Sequence, residues 1–250
     1  MTKLLTLGKS QPKAVKGEKK GFMTAVMHLA PHISAGVVTK SGTAVNVCPS
    51  ADGCELPCLT TAGRGGIFKI GETTNAIQEA RKTRTRKLFM NRAEFIAQLT
   101  KEILAFHKKA SRAAMEAAIR LNGTSDLDFD GLFPEIMALI ESLGIHRYDY
   151  TKVASRIKRM RPAYHLTFSL SAGNDKAAGQ WLRNGGNVAV VFRTKDLPAH
   201  YTIDGETRPV IDGDESDLRF LDDAGVIVGL KAKGRAKKDF SGFVRENLAA

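Results

Sequence analysis

Tyr164-His-Leu-Thr-Phe-Ser-Leu170, then Asp175 to Asn184, then Asn187-Val-Ala-Val-Val-Phe-Arg193 is the stretch from which the fold is read. The outer runs are short, apolar and rich in β-branched or aromatic residues, as strands are. The middle run has a helical pattern and stops at Gly185-Gly186, where a helix C-terminus wants glycine. A strand, a helix and a second strand imply parallel pairing, because a parallel partner needs a crossover. Working outward, further strands are expected near residues 23–30, 117–122, 146–150 and 225–230. Helices are expected over Thr74 to Arg112 and Leu132 to Leu143. Within the first of these, Asn91 and Glu94 resemble a capping box, so two helices breaking near Met90 are expected. Six strands alternating with helices predict an α/β fold with a mostly parallel sheet, open or rolled into a full or partial barrel. Ligands in such folds sit at the carboxyl ends of the strands.

The residues that follow those strands are polar. They are Asn122, Thr124 and Asp126 after the second, Asp149 and Lys152 after the third, Ser169 on the fourth, Arg193 after the fifth and Lys231 after the sixth. Each is a candidate ligand contact, and each has the plainer reading of a helix cap or turn former. The first strand leads into a long Gly-, Ser-, Thr- and Pro-rich connection, which carries Cys48, Cys54 and Cys58, every cysteine in the chain. Connections of that length are commonly functional. Three thiols on one loop cannot all pair as disulfides. They do suffice to hold a metal centre with one coordination position open, and thiolates suit iron–sulfur clusters and zinc. The spacing, five residues then three, suits a loop wrapped round a [4Fe-4S] cluster. The alternatives are zinc, with His28 or His32 completing the set, and plain reduced thiols. Gly63-Arg64-Gly65-Gly66 follows, a run whose backbone N–H groups can approach an anion or cluster sulfides closely.

The 250 residues carry a formal charge of +12 and a sequence pI near 9.7, a balance that favours polyanionic or phosphate-bearing partners. Residues 1–20 read as a basic arm, 21–234 as one α/β domain and 235–250 as a basic tail. The basic face expected on the helices, Arg81 to Arg92 among it, is either solvated surface or phosphate contact. No apolar run reaches the length of a membrane span, and no leader-like apolar segment opens the chain. A soluble protein of the host-cell cytoplasm is expected, since clustered cysteines fit a reducing compartment. No Ser/His/Asp triad, Walker loop or HExxH motif is visible.

Two resemblances follow. His28-Leu-Ala-Pro31, the Cys-x5-Cys-x3-Cys box, Thr61-Ala-Gly-Arg-Gly-Gly66, Arg120-Leu-Asn-Gly-Thr-Ser-Asp126, Tyr148-Asp-Tyr-Thr-Lys152 and His165-Leu-Thr-Phe-Ser169 resemble a protein family of tailed phages and prophages. A cysteine loop after the first strand of a six-stranded βα array is similar, as architecture, to the radical S-adenosylmethionine (SAM) enzymes. That resemblance implies a partial (β/α)6 barrel, Cys48, Cys54 and Cys58 as ligands of a [4Fe-4S] cluster, and SAM as a second cofactor. The sequence departs from that family in its cysteine spacing and in Pro57, where an aromatic residue is usual. The expected function is an iron–sulfur protein, radical-SAM-like or redox in its chemistry, acting on a small anionic or nucleotide-type ligand. The alternative is a non-catalytic iron–sulfur or zinc protein that binds nucleic acid through its basic surface.

Overall fold

The computed structural model describes residues 2–8, 12–55, 57–58, 63–67, 73–194 and 196–246. In chain order the elements are β1 (Leu5–Leu7), α1 (Pro12–Glu18), β2 (Phe22–Met27), α2 (Ala76–Met90), α3 (Arg92–Arg112), β3 (Glu116–Arg120), α4 (Phe129–Leu132), α5 (Pro134–Ser142), β4 (His146–Thr151), β5 (Tyr164–Ser169), α6 (Asp175–Arg183), β6 (Asn187–Phe192), β7 (His200–Ile203), β8 (Glu206–Asp212), β9 (Ile227–Lys231) and β10 (Val244–Arg245). All six expected strands are present, within a few residues of their expected ends.

The strands form one mixed, mostly parallel, ten-stranded sheet in the order β1-β2-β3-β4-β5-β6-β9-β8-β7. Strands β2, β3, β4, β5, β6 and β9 are parallel neighbours and follow chain order, so the sheet has no switch point. The sheet is not closed: β1 and β7 lie at opposite ends of the path. β10 pairs with Val191 and Phe192, beyond the point where β5 stops pairing with β6 at Ala189.

The period-2 pattern of the strands divides the residues between two faces. Met23, Ala25 and Met27 of β2 and Ala117 and Ile119 of β3 share one core with Leu99, Ile103 and Phe106 of α3. Those α3 residues, with Phe95 and Ala110, recur every three or four positions, which makes one buried stripe. Farther along, Leu166, Phe168, Val188 and Val190 pack on Trp181 and Leu182 of α6. On the other face, Phe22, Ala118 and Tyr148 pack against Leu218 and Phe220.

Three parts of the sequence reading change. Leu5–Leu7 pairs antiparallel with β2, so the N-terminal stretch contributes a strand, and Glu102 of α3 receives the backbone N–H groups of Leu4 and Leu5. Residues 196–221, acidic and turn-rich in sequence and given no strand there, contain the β7–β8 hairpin, turned by Asp204 and Gly205, both at positive φ. Asn91 makes no side-chain cap bond to α3, and Glu94 instead meets Lys87.

Candidate functional site at the carboxyl rim

The cysteine loop lies over the carboxyl ends of the parallel strands. Just past β3, the Asp126 N–H donates to the Val47 carbonyl at 2.8 Å. The Cys48 thiol faces the Thr124 carbonyl at 3.8 Å and accepts from the His32 N–H at 3.4 Å. Past β5, Gly173 N–H donates to Asp52 at 3.0 Å. The Ser241 hydroxyl donates to the Gly53 carbonyl at 3.1 Å. The segment that carries Cys48 and Cys54 is thus tied to the ends of β3 and β5 and to the C-terminal segment.

All three cysteines are partly buried and none forms a disulfide. Burial pushes the Cys48 thiol up to about 11, and the nearby Cys58, Asp126 and Cys54 add to the rise. Burial raises Cys54 too, opposed by the charge of Lys152. The thiols are therefore close enough to feel one another's charge, and unligated Cys48 and Cys54 hold their protons more tightly than free thiols do. Among the described residues no three His, Cys, Asp or Glu side chains converge as a ready-made set of metal ligands.

The rim residues divide into frame and exposed edge. Asn122 is part of the frame: its N–H donates to Asp149 at 2.7 Å, its amide donates to the Leu127 carbonyl, and its side-chain oxygen accepts from Ser125 and Leu127. Thr124 donates to the Leu29 carbonyl at 2.6 Å, joining β3's end to β2's. Asp126 receives the Lys152 N–H at 2.8 Å and is ion-paired with Arg156. These bonds absorb the polar groups that the sequence offered as ligand contacts. Lys152 and Ser169 meet directly, Nζ to Oγ at 2.9 Å, and Lys152 lies near Cys54, so this pair does border the cysteine loop.

Arg193 and Lys231 are used differently. Arg193 pairs with Glu246 at 2.5 Å, donates to the Lys237 and Asp239 carbonyls and stacks over Phe240. Arg245 donates to the Ser171 carbonyl and pairs with Asp175, both at 2.8 Å. Part of the expected basic tail is therefore a strap that holds the C-terminal segment across the rim. Lys231 pairs with Asp212 at 3.3 Å, on the β8 side. Gly63–Gly66 forms a 3-10 turn, and the Gly65 carbonyl accepts from Asn75 and Gln78 at the start of α2. The side chain of Arg64 lies outside the described residues.

The sequence places Arg81 on a basic face that is either solvated or in contact with phosphate, and the structure buries it. Arg81, Thr85 and Leu88 make the buried stripe of α2, and Thr85 accepts the Ala30 N–H at 2.8 Å. Arg81 is 9% exposed, and its Nε and Nη1 have no hydrogen-bond partner. Cys58 is near enough to raise its pKa, although burial dominates and lowers it. His28, the residue after β2, was considered only as a zinc ligand. Burial lowers it to about 3, and Arg81, Arg120 and Arg84 push the same way.

Asp149 supports a pH prediction. It is 1% exposed, and burial lifts its carboxyl to about 6 despite the bonds from Asn122 and the Tyr164 hydroxyl. A carboxyl with a higher pKa folded than unfolded keeps its proton more tightly in the folded state. Its contribution is therefore favourable below about pH 4 and lost as pH rises to about 6. Asp149→Asn, which keeps an acceptor oxygen, is expected to change little at pH 4. At pH 7 it should be about 2 kcal/mol more stable than the wild type. Denaturant melts across that range check it; parallel curves for the two proteins would contradict it.

A mixed α/β sheet with an anchored cysteine loop over its carboxyl rim defines the class of protein. The chain belongs to the gene product 88 family, whose model matches residues 3–247. That membership fits the phage family suggested by the sequence strings. No curated protein and no solved structure matches the chain. No helix among the described residues is long and apolar enough to cross a membrane.

Proposed function

We propose that Cys48, Cys54 and Cys58 hold a [4Fe-4S] cluster at the carboxyl rim, with a small anionic or nucleotide-type ligand as its partner. The observation that carries this reading is the placement of the only three thiols. They share one loop and sense one another's charge, and Cys48 meets the end of β3 at the carboxyl rim, where ligands sit in parallel α/β folds. Arg81, an unmatched buried cation beside Cys58, suits the negative charge that three thiolates bring. Because the described thiols do not converge on one point, loading must draw the loop inward. When bound, the cluster supplies electron transfer and an iron position without a protein ligand. The chain's own part is to hold the loop through Asp52, Gly53 and Val47 and to offer Lys152 beside Cys54. Six parallel strands in chain order also suit a partial (β/α)6 barrel and the radical-SAM-like reading, with SAM as a ligand to be assayed.

Protein purified without oxygen from iron-supplied cells is expected to be brown. Cys48→Ser, Cys54→Ser and Cys58→Ser should each lose most of that absorbance. A colourless wild type, or full colour in any one variant, overturns the proposal. One observation favours the nucleic-acid reading: Lys101, Lys108 and Arg112 are exposed and spaced seven and four apart, so they share a stripe of α3. Steep loss of binding with added salt is its distinguishing mark.

A further inference from the structure

The two faces of the parallel sheet are unlike. Helices α3, α5 and α6 pack on one of them, against Ile119, Leu166 and Val190 among others. On the other, Leu218 and Phe220 cover the amino half, over Phe22, Ala118 and Tyr148. We propose that the carboxyl half of this second face is a binding trough for a small phosphate ester. Its phosphate meets Lys152 and Ser169, and its hydroxyl-bearing body lies along Tyr150 and His165. The inference rests on the reading above for the kind of ligand alone; it gives that ligand a place and needs no metal.

Strand register assembles the trough. Tyr148 is opposite His165, Tyr150 is opposite Thr167, and Thr167 is opposite Asn187. Tyr150, Thr167 and Asn187 therefore stand side by side across β4, β5 and β6, about 4.8 Å from strand to strand. One row toward the carboxyl end, Lys152 Nζ reaches Ser169 Oγ at 2.9 Å. One row toward the amino end, His165 Nε2 is 3.3 Å from Thr167 Oγ1. On the β3 side the Arg120 guanidinium lies 4.6 Å from the centre of the Tyr150 ring. The floor is the turn at Arg219–Leu221, which packs against β4 and β5, with the Phe220 ring 5.7 Å from that of Tyr148.

Two observations point to an occupant. Strands β4 and β5 are in the middle of the sheet, yet Tyr150, Lys152, His165 and Ser169 are partly exposed, as are Arg120 of β3 and Val191 of β6. Side chains exposed over central strands mark a recess in this face. Polar groups around the recess also lack partners. Arg120 Nε and Asn187 Nδ2 are buried with none, and the Tyr150 hydroxyl has none among the described residues. Lys152 pairs with no carboxylate there, and its hydrogen bond goes to Ser169. Buried polar groups in folded proteins are nearly always satisfied. An ammonium beside a hydroxyl is a point-charge site of the kind lysine makes for phosphate. His165, lowered to about 4 chiefly by burial, is neutral at pH 7 and suits a ligand hydroxyl rather than a second charge.

The test is calorimetric titration of the full-length, metal-free chain with ribose 5-phosphate, adenosine 5′-monophosphate and inorganic phosphate. Saturable binding of at least one ester, tighter than inorganic phosphate, is expected. Tighter binding of the nucleotide marks a nucleotide as the natural source of the ester; tighter binding of the sugar phosphate marks a sugar. Lys152→Met should weaken ester binding about 10- to 100-fold, the loss expected for charge-assisted hydrogen bonds. Tyr150→Phe, which removes one hydroxyl, should weaken it about 3- to 10-fold and leave inorganic phosphate unchanged. Lys108→Met, on the exposed side of α3, should leave ester binding as it is. Melting curves check that each variant is folded, and Ser169→Ala, with a loss of ester affinity expected, tests the same contact if Lys152→Met is not. Absence of saturable ester binding, inorganic phosphate as tight as both esters, full affinity in Lys152→Met, or an equal loss in Lys108→Met overturns the proposal. The protein is metal-free here, so this failure is distinct from failure of the cluster.

Discussion

Asp130→Ala should destabilise the protein by about 3–5 kcal/mol, and Asp130→Ala with Arg147→Met should recover most of the loss. Arg147 is a charged residue at the centre of the sheet, on β4, with a side chain 2% exposed. Its Nη2 meets both oxygens of Asp130, at 2.8 and 2.6 Å, and its guanidinium lies 3.5 Å from the centre of the Tyr164 ring. Removing the carboxylate alone leaves that charge buried without a counterion. Removing both members exchanges an ion pair for apolar packing against Met137, Tyr164 and their neighbours, which proteins often tolerate. Arg161 loses one partner in the single variant but keeps Glu141. In a chain of this size the single variant should melt about 10 °C lower. Burial alone would raise the Asp130 carboxyl, yet its bonds to Arg147 and Arg161 outweigh that and hold it below its ordinary value. Its stabilisation is therefore present above the unfolded pKa and lost as pH falls through the lowered one. Urea melts of the wild type, both single variants and the double variant at neutral pH check the cycle. Equal losses in Asp130→Ala and the double variant would contradict it.

Gly123→Ala is the second large effect, expected at about 2–3 kcal/mol from the addition of one methyl group. Gly123 follows β3 and its N–H donates to the Met27 carbonyl at 2.9 Å. A Cβ would stand 2.5 Å from that same carbonyl oxygen, 2.7 Å from Val26 Cγ1 and 3.0 Å from His28 Cδ2. The first obstacle is backbone, so a rotamer change cannot relieve it. The ends of β2 and β3 must part, and His28 moves with them. The variant should therefore lose stability through the parting of these two strand ends. Melting curves of Gly123→Ala against the wild type check it. Unchanged stability in Gly123→Ala would show that the strand ends are looser than described.

The parallel core was legible because buried strands of this kind are nearly continuous apolar runs, as in Asn187–Phe192. The hairpin was not recognised, although Asp204-Gly205 is a hairpin-type turn. Its strands alternate polar and apolar residues at the sheet's edge, and Pro209 within β8 argues against a strand. The rim was legible as a place and illegible as a set of roles. Asn122 and Asp126 look alike in sequence whether they wait for a ligand or satisfy neighbouring backbone. Only the bonds to Asp149, Leu127 and Lys152 show the second use. Arg81 was concealed by its surroundings: with Arg84 and Lys82 beside it, its place on the Thr85–Leu88 stripe read as one more surface charge. Of the expected architecture, the α/β class and the mostly parallel sheet appear, and that sheet is open; the partial (β/α)6 barrel belongs to the proposal.

The central claim is that one loop with three thiols makes this rim a metal–sulfur site. Its most direct test is the content of iron, acid-labile sulfide and zinc per chain in protein purified without oxygen. About four irons and four sulfides per chain, with negligible zinc, is the predicted result. About one zinc per chain, or no bound metal at all, would contradict it.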